Sequence, residues 1–395
     1  MDKAKRGTLF TVLSEKTEYW RWRLMASQDS FYQYLRNRGV SRRDFIKFCT
    51  VMAASLGLEP GAAGAIAEAL ETKRRMPVIW RNFQECTCCT ESFIRTQHPK
   101  ASDIIMTMIS LDYHETLMVA AGHQAEEAVA KAIEDNRGNY ILAVEGAIPV
   151  KDGGIYCCIA GRTAVDMLKE EAKHAKAIIA WGSCAVNGCV QAANPNPTGA
   201  VPVQDIIKDK PIINVPGCPA IAEVMAGVIT HVLTFERLPE LDSQGRPKAF
   251  YGHRIHDKCN RRAYFDAGMF VENFDDQGAK EGWCLYKLGC KGPNTYNSCS
   301  NLEWNGGLSY PIKSGHPCIG CSEFGFWDNT GGTSMYAHLS EVPGLKIGVN
   351  VDAFGAAAVG AAIAGAAVHA GLSAVTKKQM DRQENEKNCK NKVEG

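Results

Sequence analysis

The 395-residue chain has no excess of either charge: 44 Lys and Arg stand against 43 Asp and Glu, a formal net charge of +1. Neither a nucleic-acid partner nor electrostatic binding to a lipid surface is indicated. It also has no cysteine complement suited to a disulfide scaffold. All but two of the 16 cysteines fall between positions 86 and 321, and they come in clusters. Removal of a leader carrying Cys49 would leave 15, an odd number that does not suit a closed disulfide framework. Between about 246 and 343 regular apolar periodicity fades, so that stretch needs something besides a hydrophobic core.

What is present begins with Glu85-Cys86-Thr87-Cys88-Cys89, directly after the apolar run Met76–Phe83. Three thiolates this close repel one another unless a metal takes up their charge. The length suggests two or three domains with ample core. Ahead of them, Ser41-Arg42-Arg43-Asp44-Phe45-Ile46-Lys47 has the order of a twin-arginine export signal. The moderately apolar stretch Phe48–Leu58 and the A-x-A pattern Ala67-Glu68-Ala69 follow, so residues 1–69 are expected to be a cleaved leader. At the other end, Ala353–Val375 is 23 residues without formal charge, long enough to span a bilayer. Lys377, Lys378 and Arg382 follow, which predicts an anchor over 350–376 and a cytoplasmic tail over 377–395, polar and structureless from 379.

Between these ends, the runs Met76–Phe83, Ile104–Met108, Tyr140–Val144, Ala177–Trp181 and Pro211–Val215 read as buried strands. Helical periodicity over 123–135, 161–174 and 219–235 alternates with them. Such alternation predicts an α/β domain over 70–245, a flavodoxin-like doubly wound parallel sheet with its ligand site off the carboxyl ends of the strands. Cys184 and Cys189 follow one of those runs and Cys218 another, so six thiols come from three loops on one edge. Cys157 and Cys158 have no partner by spacing and are expected to be buried thiols.

The loop-rich region 246–343 brings His256, Cys259, Cys284 and Cys290, a four-ligand set, and Cys299, Cys318 and Cys321, a set one ligand short. Pro311, between Cys299 and Cys318, offers no ligand. Metal clusters cross-linking loops would supply the missing stability. Zinc suits the Cys₃His set but explains neither the three-cysteine nor the six-cysteine set.

Together these motifs resemble the small subunit of membrane-bound uptake nickel–iron hydrogenases over nearly the whole chain. They are the twin-arginine leader, Cys-Thr-Cys-Cys-Thr-Glu-Ser-Phe-Ile-Arg, Val-Glu-Gly, Trp-Gly-Ser-Cys, Pro-Gly-Cys-Pro, His-Asp-Lys-Cys, Cys-Leu-Tyr-Lys-Leu-Gly-Cys-Lys-Gly-Pro, Gly-His-Pro-Cys-Ile-Gly-Cys and the anchor. The resemblance implies three iron–sulfur clusters in a line. The proximal one would take Cys86, Cys89, Cys184 and Cys218, with Cys88 and Cys189 as the two extra thiols of the oxygen-tolerant, four-iron three-sulfur type and Glu145 nearby. The medial three-iron cluster would take Cys299, Cys318 and Cys321, and the distal four-iron cluster His256, Cys259, Cys284 and Cys290. It further implies that the nickel–iron centre lies in a separate large subunit, and that electrons leave through a membrane cytochrome b to quinone. The protein would then face the periplasm, with Glu85 and Thr87 assisting proton exit. Two other readings stand beside it. One is the cluster-bearing subunit of a quinone reductase-type complex, and the other an exported zinc- or disulfide-stabilised binding protein.

Overall fold

Five short strands form one parallel sheet: β1 Met76–Asn82, β2 Ile109–His114, β3 Ile141–Glu145, β4 Ala177–Trp181 and β5 Ile212–Val215. The computed structural model describes residues 30–37, 39–55, 59, 61–72, 75–97, 99–328 and 351–391. Spatial order is β2-β1-β3-β4-β5 and every pairing is parallel, the flavodoxin-like arrangement. Every residue of β3 and β4 is buried, as strands covered on both faces must be.

Alternation along the strands divides the core in two. Val78, Trp80, Ile141, Ala143, Ile179 and Trp181 face the apolar helix Ala222–Phe235, whereas Ile79, Leu142, Val144, Ile178 and Ala180 meet Val129, Met167 and Leu168. The first cluster continues without a break into Tyr251, Ile255, Val271 and Ile312. The loop-rich part therefore shares a core with the sheet, and both lie in one unit ending at His338. Its helices are short, such as Arg262–Asp266 and Cys299–Leu302, and its β pairing among the described residues is confined to isolated bridges.

The structure departs from sequence expectation at Ile104–Met108 and in the C-terminal tail. Ile104–Met108 is a π-helical turn, and the strand occupies the next six residues. A short apolar run fits a buried helical turn as well as a strand, and here the half-exposed, alternating Ile109–His114 takes the sheet position. Helices Arg42–Ser55 and Ala62–Thr72 pack on the body, with Phe45, Cys49, Met52, Ile66 and Leu70 in the sheet's own core cluster. Ala67 and Ala69 of the A-x-A pattern are buried within the second of these helices. Finally, the separate unit from Leu339 onward carries a helix Val351–Asn391 that continues through the tail expected to be structureless. No Gly or Pro follows Leu372 before Asn391, and Lys, Gln, Arg and Glu are good helix formers. Within this helix Val359–Gln379, 21 residues of mean hydropathy 1.5, is long and apolar enough to cross a membrane.

Arg81, fully buried in β1, donates to Glu171 from Nε at 3.0 Å and from Nη2 at 2.6 Å, and its guanidinium lies 4.1 Å from the Tyr113 ring centroid. Glu115 and Glu126 stand farther from Nη1, at 3.7 and 3.8 Å. Breaking a buried pair leaves an uncompensated charge. Glu171→Leu alone should cost about 3 kcal/mol, and Arg81→Met with Glu171→Leu markedly less. Chemical denaturation of the purified complex, run as a double-mutant cycle, checks both values.

Candidate metal centres

The sheet delivers its thiols where its topology predicts. Cys86, Cys88 and Cys89 follow β1, Cys184 and Cys189 follow β4, and Cys218 follows β5. Thr87, between the first two, sits at φ 64 in the left-handed region, an unfavourable conformation for a β-branched residue. It turns the chain sharply into helix Cys88–Phe93. Cys189 holds φ 50, a backbone state that favours glycine. Gly182 and Gly217 have positive φ, and a side chain at Gly182 would collide with the Cys89 sulfur. Backbone and sulfur are therefore as close as they can be.

The six thiols form one group. Cys86 contacts Cys88, and Cys89 lies within electrostatic reach of both. The Sγ atoms of Cys189 and Cys218 are 4.0 Å apart, and Cys189 also meets Cys184. Gln191 Nε2 donates to Cys184 Sγ at 3.4 Å, and Trp327 Nε1 to Cys189 Sγ at 3.3 Å. Contact with Cys184, Cys218 and the Trp327 indole holds Cys189 well below the usual thiol range, while burial pushes Cys89 up. Cys184 and Cys218 rise through contact with Cys189 and through burial. Thiols in this state bear full negative charge together only when a cation shares it.

Glu145, at the end of β3, is 1% exposed and points into this group. Its Oε1 accepts the Cys89 and Thr90 amides at 2.9 and 3.2 Å, taking the helix N-terminus that Thr87 leaves uncapped. Its Oε2 accepts from Thr90 Oγ1 at 2.6 Å, Asn82 at 3.2 Å and Trp80 at 3.3 Å. Glu85 accepts from Thr87 Oγ1 at 3.2 Å. Burial, and then the Glu145 charge, push its carboxyl up to about 7.

The remaining sets continue away from this edge. Cys321 lies in a small cluster with Cys184, Cys189 and Cys218, and Ser183 Oγ donates to its carbonyl. Cys299 and Cys318 are each within electrostatic reach of Cys321. The Cys318 amide donates to Cys290 Sγ at 3.4 Å, joining the three-cysteine set to the next. There, His256, Cys259, Cys284 and Cys290 line one pocket together with Arg261, Tyr286 and Ile312. Burial pushes Cys284 up to about 11 and Cys299 to about 12. Burial, and then Arg262, lower His256, leaving a neutral imidazole able to ligate.

No disulfide joins the described cysteines. Among the described residues, no three His, Cys, Asp or Glu side chains are grouped as ligands of a single ion. Six thiols in one group and a three-cysteine set are not zinc donor sets, and cysteine-rich sets of this kind fit iron–sulfur clusters better. One expectation needs correcting. Cys158 is exposed and Cys157 half-buried, because an outward hairpin pairs Cys158–Ile159 with Arg162–Thr163. Gln191, Trp327, Thr90 and His114, all within hydrogen-bonding distance of the thiols or of Glu145's partners, carry no spacing signal that could have singled them out.

The sheet is doubly wound, gathers thiols at its carboxyl edge and has more cysteine sets leading away from it. The family model for the C-terminal part of the NiFe/NiFeSe hydrogenase small subunit matches residues 251–333, and that for the NADH ubiquinone oxidoreductase 20 Kd subunit matches 86–232. The chain is 58% identical over 359 residues to the uptake hydrogenase small subunit of Afipia carboxidovorans, covering 91% of this chain and 97% of that one. It is 53% identical over 360 residues to the hydrogenase-1 small chain of Escherichia coli K12, covering 91% and 96%. The Ni-Fe-Se hydrogenase of Desulfomicrobium baculatum superposes with a TM-score of 0.62 at 35% identity, covering 67% of this chain and 100% of that one. This chain belongs to the small subunits of nickel–iron uptake hydrogenases. Such a subunit works in a hydrogenase complex beside a large subunit, and its family implies iron–sulfur electron transfer.

Gly182→Ala should displace the Cys89 sulfur and lower the iron content of the purified complex. Gly161→Ala has the same positive φ, with open space around it, and should leave iron unchanged. Iron analysis per protein separates loss of the cradle from backbone strain alone.

Proposed function

We propose that this chain carries electrons from a hydrogen-oxidising centre in the large subunit through three iron–sulfur clusters to an acceptor in the membrane. Cys86, Cys88, Cys89, Cys184, Cys189 and Cys218 hold the proximal cluster. Cys299, Cys318 and Cys321 hold a three-iron medial cluster, and His256, Cys259, Cys284 and Cys290 a four-iron distal one. The observation that carries this reading is the succession of the three sets, with Cys321 beside the first and Cys318 bonded to Cys290 of the last. One-electron transfer is what such clusters supply.

The protein's part is to place charge and hydrogen bonds around the sulfurs. Donors such as Gln191, Trp327 and the Gly320 amide, 3.4 Å from Cys318 Sγ, stabilise negative sulfur and favour the reduced state. His256 replaces an anionic ligand by a neutral one, which makes the distal site easier to reduce. Glu85 and Thr87, hydrogen-bonded to one another beside Cys86, form a proton exit toward solvent. Cys88 and Cys189 give the proximal site the six-thiol set of the oxygen-tolerant kind, able to hold a further oxidised state.

Export by the twin-arginine route through Arg42 and Arg43 would put the body on the periplasmic side of the inner membrane. Both arginines are exposed, and Arg42 reaches Glu71 at 3.3 Å. The Val359–Gln379 stretch serves as anchor, with Lys377, Lys378 and Arg382 toward the cytoplasm, and a cytochrome b passes electrons to quinone. The quinone reductase reading has support from the first-domain family match, but that match ends at 232 and the hydrogenase one covers the second cysteine region.

The double variant C88G/C189G tests the six-thiol set, and position 189 already has a glycine-compatible backbone. Hydrogen oxidation without oxygen should stay close to wild type, while the half-life of activity under oxygen falls about tenfold or more. An electron paramagnetic resonance redox titration should at the same time lose the second of two proximal transitions. Oxygen tolerance that survived in the variant would refute this role for Cys88 and Cys189.

A further inference from the structure

A hydrogen-bonded series of fixed direction runs into Glu145 from the far side of the proximal thiols. It starts at His114, which closes β2, is 1% exposed and packs with its ring centroid 5.0 Å from that of Trp80. His114 Nδ1 lies 3.3 Å from the Thr116 amide nitrogen and 3.2 Å from Thr116 Oγ1. A backbone N–H can only donate, so Nδ1 is the unprotonated nitrogen. Burial keeps the ring neutral, pushing its pKa down to about 4. The single ring proton is therefore on Nε2, which faces Thr90 Oγ1 at 3.3 Å. With that oxygen accepting from His114, the Thr90 hydroxyl proton goes to Glu145 Oε2 at 2.6 Å. Every donor from Thr116 through His114 to Thr90 points toward the carboxylate, whose other oxygen takes the Cys89 amide.

We propose that His114 is a positioning residue for the proximal site: acting through Thr90, it holds the Glu145 carboxylate against the Cys89 amide. This rests on the reading of Cys89 as a proximal ligand. A carboxylate held there keeps negative charge beside the thiols and favours the oxidised state. Trp80 and Asn82 still donate to Glu145 when the series is cut, so the effect is a loosening and not a collapse.

The test is a redox titration, followed by electron paramagnetic resonance, of the intact complex. H114F keeps a ring against Trp80 but has neither nitrogen, whereas H114Q keeps an amide donor toward Thr90. T90V cuts the series at its next link with His114 in place. T90V should lower the oxidised-to-reduced ratio of the proximal centre, at the wild-type midpoint, about tenfold, the scale of its charge-assisted bond to Glu145, and H114F, which removes a neutral bond, about threefold in the same direction. The medial and distal centres should not shift, H114Q should return to near the wild-type ratio, and H114F should add nothing in a T90V background. An unchanged ratio in T90V overturns the proposal, as does a shift in H114Q equal to that in H114F. Should H114F fail to assemble, T90V and H114Q still decide between these outcomes. Failure of the six-thiol reading shows separately, as a single proximal transition in the wild type, and the variants remain comparable on that transition.

Discussion

Sulfur removed from water sets the terms for this molecule. A buried thiol resists ionisation, and several packed together resist it more, because each new thiolate is desolvated and repelled by its neighbours. Cys89, Cys318 and Cys290 show the first effect, and the contacts of Cys184 and Cys218 with Cys189 the second. Positive metal relieves both. The iron–sulfur clusters that the family implies would carry that opposite charge, and on the proposed assignment they would also cross-link the short-elemented region after 246.

The parallel sheet makes this concentration possible. All its strands end on one side, so loops far apart in sequence converge there. The cradle is built from backbone as much as side chains: Gly182 lies against the Cys89 sulfur, and Cys189 adopts a turn that ordinarily suits glycine. Glu145 joins sheet to site. It ends β3, caps helix Cys88–Phe93 and collects five donors, so the place where negative charge meets the thiols is set by the sheet's register.

Two family models divide the one unit between them. The sheet half matches a family model drawn from quinone reductases, and the region after 251 matches one particular to hydrogenases. A shared apolar cluster, from Trp80 through Tyr251 to Ile312, joins them, and Cys290, Cys299 and Cys318 sit within it. Those three cysteines are therefore positioned by the same packing that supports the sheet.

Much of this was legible in the residues alone. The thiols, their grouping and the alternation of strands and helices survive as local patterns, because a ligand must be a particular residue type and a buried strand must be apolar. The spacing around Cys86 and the sequence Cys318-Ile319-Gly320-Cys321 needed no coordinates to be noticed. Tertiary structure alone decided the rest. Ile104–Met108 became a π-helical turn because apolar character does not distinguish two buried conformations. Cys158 turned outward because hairpin geometry, not composition, orients it. The helices at 42–55 and 62–72 settled on the core because apolar residues spaced to bury one face find whatever surface the sheet leaves open. The partners of Glu145 and the donors from Gln191 and Trp327 lie up to 138 positions from what they touch, and a direction of hydrogen bonding such as that through His114 exists only once the chain has brought its groups together.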